Sequence, residues 1–163
     1  MTESAVGGTP DVDPVEVLEV VACRVGESWY GLEVGRVRQV DDCPPTTRVP
    51  RTAPAVRGVA SVAGEVTVVV DARVALDSSP DDGSDRLVVL DRGDQPQPVA
   101  LLVDAVADIE RCPVETLGRP GPDDTGWAKA VADRESGPLT VLSVERIAET
   151  VSTANTRGHG DFK

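Results

Sequence analysis

Catalysis that depends on a histidine is hard to build in this chain of 163 residues, because its one histidine is poorly placed. His159 lies between two glycines close to the C-terminus. A Ser-His-Asp or Cys-His arrangement needs a base that is held in place by the fold. A polar, Gly-containing tail does not hold a side chain in that way, so we interpret His159 as an exposed tail residue and expect no catalytic residues.

Three acidic pairs are the next candidates, because neighbouring carboxylates can act as general acid and base or as calcium ligands. They are Asp41-Asp42, Asp81-Asp82 and Asp123-Asp124, each in a predicted loop. Residues 81–85 lack the ligand spacing and the terminal glutamate of an EF-hand loop. We therefore interpret all three pairs as solvated acidic loops.

The cysteines, Cys23, Cys43 and Cys112, are odd in number and lack C-x-x-C spacing. This pattern favours neither a disulfide framework nor a zinc site. Cys23 and Cys112 lie in apolar runs and are predicted to be buried. We expect no metal and no cofactor.

Two further features could bind a ligand, but we interpret both as parts of the fold. Residues 58–65 are glycine-containing, but they lack the Lys-Ser/Thr pair of a phosphate loop and are flanked by predicted strand on both sides. Trp29 and Trp127 could stack on a ligand. In a chain with 2% aromatic residues we expect both to anchor a core instead.

The overall charge excludes several classes of partner. The formal net charge is −12, which repels phosphate backbones and anionic membrane surfaces, so we expect no nucleic-acid partner and no direct membrane insertion. The first 14 residues lack the basic and apolar regions of a secretory signal, which predicts a cytoplasmic protein. An acidic, Lys-poor and aromatic-poor composition favours a salt-rich cytosol, where a Debye length of about 3 Å at 1 M screens self-repulsion. An ordinary acidic protein from a GC-rich genome is the alternative.

Between a polar start and a polar tail, the hydrophobic pattern predicts short strands separated by Gly, Pro and Asp. Residues 66–74 alternate, with Val66, Val68, Val70, Ala72 and Val74 on one face. Residues 99–109 repeat the pattern. The other predicted strands are 17–25, 29–34 and 37–40, and the predicted loops are 78–85 and 113–126.

One helix is predicted, at 143–151, where Ser143 can cap the N-terminus and Glu145 lies in the first turn. Leu142 and Ile147 have the spacing of a hydrophobic staple. Many short strands with one terminal helix predict an all-β protein built from small barrels or a sandwich.

Residues 47–73, TRVPRTAPAVRGVASVAGEVTVVVDAR, resemble the central motif of the CheW-type chemotaxis coupling proteins, in which a G-V-x-N-L-R-G turn precedes a strand ending in V-D-L-R. Other segments fit in the same order: 24–40 resembles the opening hairpin of that family, 99–109 its V-D-x-V strand, and 126–147 its closing hairpin and helix. The matching residues of the central motif are Arg48, Pro50, Pro54, Gly58, Val59, Gly64, Val70, Asp71 and Arg73.

The resemblance implies an all-β fold of two linked five-stranded, SH3-like barrel subdomains with a short C-terminal helix. It places the CheW-like domain at 14–151, with a flexible N-terminal segment at 1–13 and a flexible tail at 152–163. It further implies a non-enzymatic adaptor that couples chemoreceptor cytoplasmic tips to the regulatory domain of the CheA histidine kinase. One subdomain would dock the kinase, and the groove between the subdomains would take the helical receptor tip.

The chain departs from the family at Ser61, Val62 and Ala63, which stand where Asn-Leu-Arg is usual, and at Gln39, where an acidic residue is frequent. Alanine cannot replace the donor fork of arginine. This favours an alternative, a CheW-like module that docks a kinase or another regulator without receptor coupling. A third possibility, an enzyme or small-molecule barrel, would need a polar pocket built from Asp71, Arg73 and Asp104.

For the binding surface, the resemblance points to a set of residues on and around the central motif. For Asp71 and Arg73 the alternative is a local surface ion pair, and for the glycines a purely conformational role. The predicted partner-binding residues are Val37, Gln39, Gly58, Val59, Val62, Ala63, Gly64, Asp71 and Arg73.

Overall fold

Alternating apolar residues between turn-forming residues produce an almost entirely β structure. A computed structural model describes residues 16–76, 85–122 and 124–151. The described helices are α1 (Ala72–Ala75) and α2 (144–151), and single 3-10 turns lie at Val34–Arg36 and Val114–Thr116. The described strands are β1 (Val17–Val25), β2 (Ser28–Glu33), β3 (Val37–Asp42), β4 (Val56–Val62), β5 (Glu65–Asp71), β6 (Arg86–Leu90), β7 (Val99–Val103), β8 (Ala105–Pro113), β9 (Leu117–Gly118), β10 (Ala128–Ala132) and β11 (Leu139–Leu142).

The strands form two sheets that correspond to the two expected subdomains. The first has the order β9-β10-β11-β2-β1-β8, and the second has the order β3-β6-β7-β5-β4. The second sheet is an insertion in the first, because the chain leaves the first sheet after β2 and returns at β8. The first sheet contains six strands rather than the expected five, since the two-residue β9 pairs with the edge of β10.

Both sheets curl until their ends meet. In the first, the Arg134 guanidinium binds the Glu110 carboxylate at 2.6 Å, which joins the β10–β11 connection to β8. In the second, Thr47 and Val59 exchange two backbone hydrogen bonds of 2.8 Å, so the segment after β3 pairs with β4. The predicted all-β fold of two barrel-like subdomains is confirmed.

Three apolar clusters explain the strand patterns. One fills the first barrel, one fills the second, and the largest lies between the sheets and beneath α2. In β7, Val99, Leu101 and Val103 face the central cluster, whereas Ala100 and Leu102 face the second barrel. Interior strands of the second sheet are therefore buried on both faces and lose the polar alternation of a solvated strand.

The predicted strand at 66–74 is too long at its C-terminal end, because β5 spans Glu65–Asp71, and its alternating apolar face is exposed at both ends. Val66 and Val74 are 64% and 51% exposed, whereas Arg73 is 5% exposed. The strand ends at Asp71 because its carboxylate accepts the Arg73 backbone N–H at 3.0 Å and starts α1.

The predicted single strand at 99–109 is two strands. The chain turns at Asp104, where it crosses from β7 in the second sheet to β8 in the first. Ile109, predicted to lie on the same face as the alternating apolar residues of β7, is 56% exposed, because the crossing at Asp104 places it in the other sheet.

The predicted C-terminal helix is confirmed. Ser143 Oγ accepts the Arg146 backbone N–H at 3.3 Å, which is an N-cap. Leu142 and Ile147 are both buried in the central cluster, and the Trp127 indole donates to Thr150 Oγ1 at 3.1 Å. Trp127 is thus a core residue, as predicted, while Trp29 is half-buried against the first barrel.

Several predictions fall outside the described residues. They are the terminal segments at 1–13 and 152–163, His159, the pair Asp81-Asp82, and Asp123. The three cysteines are described and are free thiols, with Cys23 and Cys112 buried as predicted. Burial raises the pKa of the Cys23 thiol to about 12.

Candidate partner-binding site

Seven of the nine predicted binding residues lie where the second barrel closes. Val37 and Gln39 are on β3, Gly58, Val59 and Val62 are on β4, and Ala63 and Gly64 form the turn that leads into β5. The Thr47–Val59 bridge joins the two edges here, and an ion pair of 3.4 Å between Arg38 and Glu65 connects β3 to the start of β5.

The turn between β4 and β5 contains only two residues, Ala63 and Gly64. Ala63 and Gly64 have φ values of 51° and 83°, so both central residues lie in the left-handed region that a type I′ turn requires. Gly64 meets this requirement without strain, but Ala63 carries a β-carbon. The methyl group of Ala63 is exposed and offers a partner no hydrogen-bond donor.

Gly58 and Val62 are buried, so a partner does not reach them directly. Val62 packs inside the second barrel with Ala60 and Val69. Gly58 has a φ of +148° and lies against the backbone of Thr47, where a β-carbon would be 2.7 Å from the Thr47 carbonyl carbon. Its role in the structure is to allow the barrel to close.

The accessible residues around the turn include Val66, which is not among the predicted binding residues. Val66 lies opposite Ser61 in the β4–β5 register and is 64% exposed. The sequence signal for the exposure of Val66 is its position two residues after the turn, because the tip of the hairpin extends past the central cluster. We call Val59, Ser61, Ala63, Gly64 and Val66 the hairpin surface.

Asp71 and Arg73 lie at the far end of β5, away from the turn. They do not form the surface pair considered from the sequence, because the Arg73 side chain is 6% exposed. Its guanidinium binds three carboxylates: Asp71 at 3.1 Å, Asp85 at 3.0 Å and Asp104 at 3.4 Å. Burial acts to lower the pKa of Arg73, but the carboxylates outweigh this effect and raise it.

The convergence of Asp71, Arg73 and Asp104 does not create an enzyme pocket. Asp104 is 1% exposed, and one of its oxygens accepts the Gly26 backbone N–H at 2.6 Å. The charges of the cluster are therefore bound to each other and to the backbone. Within the described residues, no group of three or more His, Cys, Asp or Glu is arranged to hold a metal ion.

No helix in the described part of the chain has the length and apolarity needed to cross a bilayer.

Comparisons with known proteins agree with the architecture. Residues 19–152 match the family model described as a CheW-like domain. A probable chemotaxis protein CheW from Rhizobium etli is 31% identical over 142 residues, which cover 83% of this chain and 91% of that protein. A chemotaxis protein CheW from Rhizobium meliloti is 32% identical over 91 residues, covering 56% of this chain and 59% of that protein.

A solved structure shares the fold at low sequence identity. The scaffolding protein TtCheW from Thermoanaerobacter tengcongensis superposes with a TM-score of 0.70 and 20% identity, over 79% of this chain and 90% of that one. The two-barrel fold, the match across most of the sequence and the full-length relative lead to one assignment: this chain belongs to the CheW-like family of chemotaxis scaffold and adaptor proteins, which are not enzymes.

Proposed function

We propose that this protein couples the cytoplasmic tips of methyl-accepting chemoreceptors to the regulatory domain of a CheA-type histidine kinase in the cytoplasm. The observation that carries the proposal is the hairpin surface, which combines an exposed apolar residue, Val66, with the small residues Ser61, Ala63 and Gly64. Adaptors of this kind do no chemistry. They act by fixing the geometry of their partners and favouring one signalling state.

The chemistry of the hairpin surface suits a helix. Small residues at the turn let a helix backbone approach closely, while Val59 and Val66 provide apolar contact on the same side of the hairpin. Gln39 on the neighbouring β3 adds polar recognition, with its amide hydrogen-bonded to the Asp41 carboxylate. This combination supports a receptor helix laid across the hairpin surface.

The alternative is a module that docks the kinase or another regulator without coupling a receptor. Ala63 favours it, because the exposed methyl group cannot make the bidentate contact of an arginine. The alternative leaves kinase docking unchanged and removes only the receptor contact at the turn.

Binding measurements with two purified partners from the same organism separate the two functions. The partners are the kinase regulatory domain and a receptor-tip fragment, each titrated in multimolar KCl against wild type and Ala63→Arg. Ala63→Lys and Ala63→Gln are matched controls, since they share the strained turn position and the long side chain but lack the guanidinium fork.

Binding of both partners by the wild type supports the coupler. Binding of the kinase alone, with receptor binding restored by Ala63→Arg and not by the controls, supports the alternative. Binding of neither partner would show that both proposals are wrong while the family assignment stands.

A further inference from the structure

Among the described residues, the most heavily buried charges lie where the two sheets meet. Arg73 follows β5 of the second sheet, and Asp104 occupies the crossing from β7 of the second sheet to β8 of the first. Their side chains are 6% and 0% exposed. Charges so deeply buried are costly unless they are fully paired, so their position is a strong constraint on the fold.

Asp104 joins the two sheets through both of its oxygens. One oxygen binds Arg73 of the second sheet at 3.4 Å, and the other accepts the N–H of Gly26, in the β1–β2 turn of the first sheet, at 2.6 Å. Its own backbone N–H donates to the Arg24 carbonyl at 3.0 Å. The buried Asp104 carboxylate thus connects the β1–β2 turn of the first barrel to the Arg73 guanidinium of the second.

The same network reaches the candidate partner-binding site. Asp71 accepts from Arg73 and also binds Arg57 at 3.6 Å. Arg57 directly precedes Gly58 on β4, and the Asp71 backbone N–H donates to the Ala55 carbonyl at 2.7 Å. The strand that carries the hairpin surface is therefore linked to the junction of the sheets.

We propose that Arg73, Asp71 and Asp104 form an inter-sheet clamp that fixes the angle between the two barrels, and that Asp71 and Arg73 act on partner binding through this angle rather than by touching a partner. The effect on binding rests on the proposed function; the effect on the angle does not. In this assignment Arg73 is a positioning residue.

We assign control of the angle to the clamp and not to the apolar core because charged hydrogen bonds depend on direction. The central cluster holds the sheets together, but apolar contact is non-directional and permits small rotations. Hydrogen bonds of charged groups weaken steeply with angle, and the planar guanidinium fixes several carboxylates at once. Loss of the clamp should therefore loosen the angle while the barrels stay folded.

The test measures the angle directly with spin labels. Labels are attached at Glu135→Cys in the first barrel and Asp94→Cys in the second, both exposed positions, in a Cys43→Ser background. Cys23 and Cys112 are buried and remain unlabelled. The distance distribution is recorded by pulsed electron resonance for the clamp variants Arg73→Met, Arg73→Lys and Asp104→Asn. Arg111→Met, which removes an exposed ion pair with Glu19, is the matched control.

The clamp predicts a shifted or broadened distribution for Arg73→Met and Asp104→Asn and an unchanged one for Arg111→Met. Asp104→Asn keeps an oxygen that can accept the Gly26 N–H, and it replaces the oxygen that faces Arg73 with an amide NH2, which is a donor and cannot bind the guanidinium. This variant decides the question if Arg73→Met does not fold. Wild-type distributions in Asp104→Asn, together with a cooperative urea transition, would overturn the proposal.

Binding of the receptor-tip fragment, which the family resemblance implies for the groove between the subdomains, supplies the second measurement. Arg73→Met and Asp104→Asn should each weaken this binding by about tenfold or more, because a changed angle prevents the receptor tip from contacting both barrels at once. Asp104 is too deeply buried to touch a partner. A loss with Arg73→Met and none with Asp104→Asn would overturn the positioning role in favour of direct contact. If the wild type does not bind the receptor-tip fragment, the proposed coupling function is wrong, and the distances between the spin labels still decide whether the clamp sets the angle.

Discussion

Gly58 on β4 and Thr47 in the segment after β3 pack backbone against backbone. A β-carbon on Gly58 would lie 2.7 Å from the Thr47 carbonyl carbon and closer still to its oxygen. Thr47 also exchanges two 2.8 Å hydrogen bonds with Val59, the next residue of β4. The second barrel therefore closes at a point where only glycine fits, one residue before the hairpin surface begins.

Substitution of this glycine should destabilise the protein more than substitution of the turn glycine. Gly58→Ala adds a backbone clash to a positive φ, with an expected loss of about 2–4 kcal/mol in the free energy of unfolding. Gly64→Ala meets nothing within 4 Å and should lose only about 1 kcal/mol from its φ of +83°. Urea titration of both variants checks the difference. Equal losses in the two variants would mean that the clash with Thr47 does not contribute to the destabilisation caused by Gly58→Ala.

Ala63 is a non-glycine residue with a φ of 51°, so a residue better suited to this conformation should stabilise the protein. Ala63→Asn should raise the free energy of unfolding by about 0.5–1 kcal/mol, because asparagine followed by glycine is the preferred pair for this turn. Ala63→Val should lower it, since a β-branched residue adopts the left-handed conformation least readily. Thermal and urea unfolding measure both effects, and stabilisation by valine would contradict the assigned turn geometry.

The buried thiol of Cys23 should make the fold sensitive to alkali. The pKa of this thiol rises from 9.0 to about 12 because burial disfavours the thiolate. The unfolded chain releases the proton above pH 9, so this contribution to stability is complete below pH 9 and is lost as pH rises towards 12. By pH 10.5 the loss is on the order of 2 kcal/mol.

The measurement is the free energy of unfolding at pH 8 and at pH 10.5 for wild type and Cys23→Ala. The variant should lose less stability between the two pH values, whatever its stability at pH 8. The loss of stability between pH 8 and pH 10.5 is then compared for the two proteins. Other titrating groups contribute equally to both losses and cancel, including Tyr30, whose pKa is also raised by burial. Identical losses would contradict the prediction.

Salt should stabilise this chain. Its net charge of −12 gives strong self-repulsion in dilute buffer, and multimolar KCl screens it. We expect the free energy of unfolding to rise from 0.1 M to 3 M KCl. The rise should be smaller in a triple variant, Asp108→Lys, Glu115→Lys and Glu135→Lys, in which three exposed acidic residues become basic. A chain that unfolds no more readily in 0.1 M than in multimolar KCl would show that its acidity is not an adaptation to salt.

Local patterns determined much of the fold. The run Val17–Val25 forms the expected strand, and Ser143 caps the expected helix, because strand alternation and helix capping depend on neighbours within a few residues. The residues around Gly58, Gly64 and Asp71 were also sufficient to identify the CheW-like family, since that motif extends along contiguous sequence.

Tertiary structure alone decided which residues are accessible. Val66 and Val68 share one face of β5, yet Val66 is exposed and Val68 is packed against the central cluster. Arg73 follows Asp71 in a sequence typical of a surface pair, but it is buried because Asp85 and Asp104 converge on it from other parts of the chain. Burial depends on where the second sheet and the crossing at Asp104 lie. Contacts between residues distant in sequence leave no local pattern, so spacing could not reveal them.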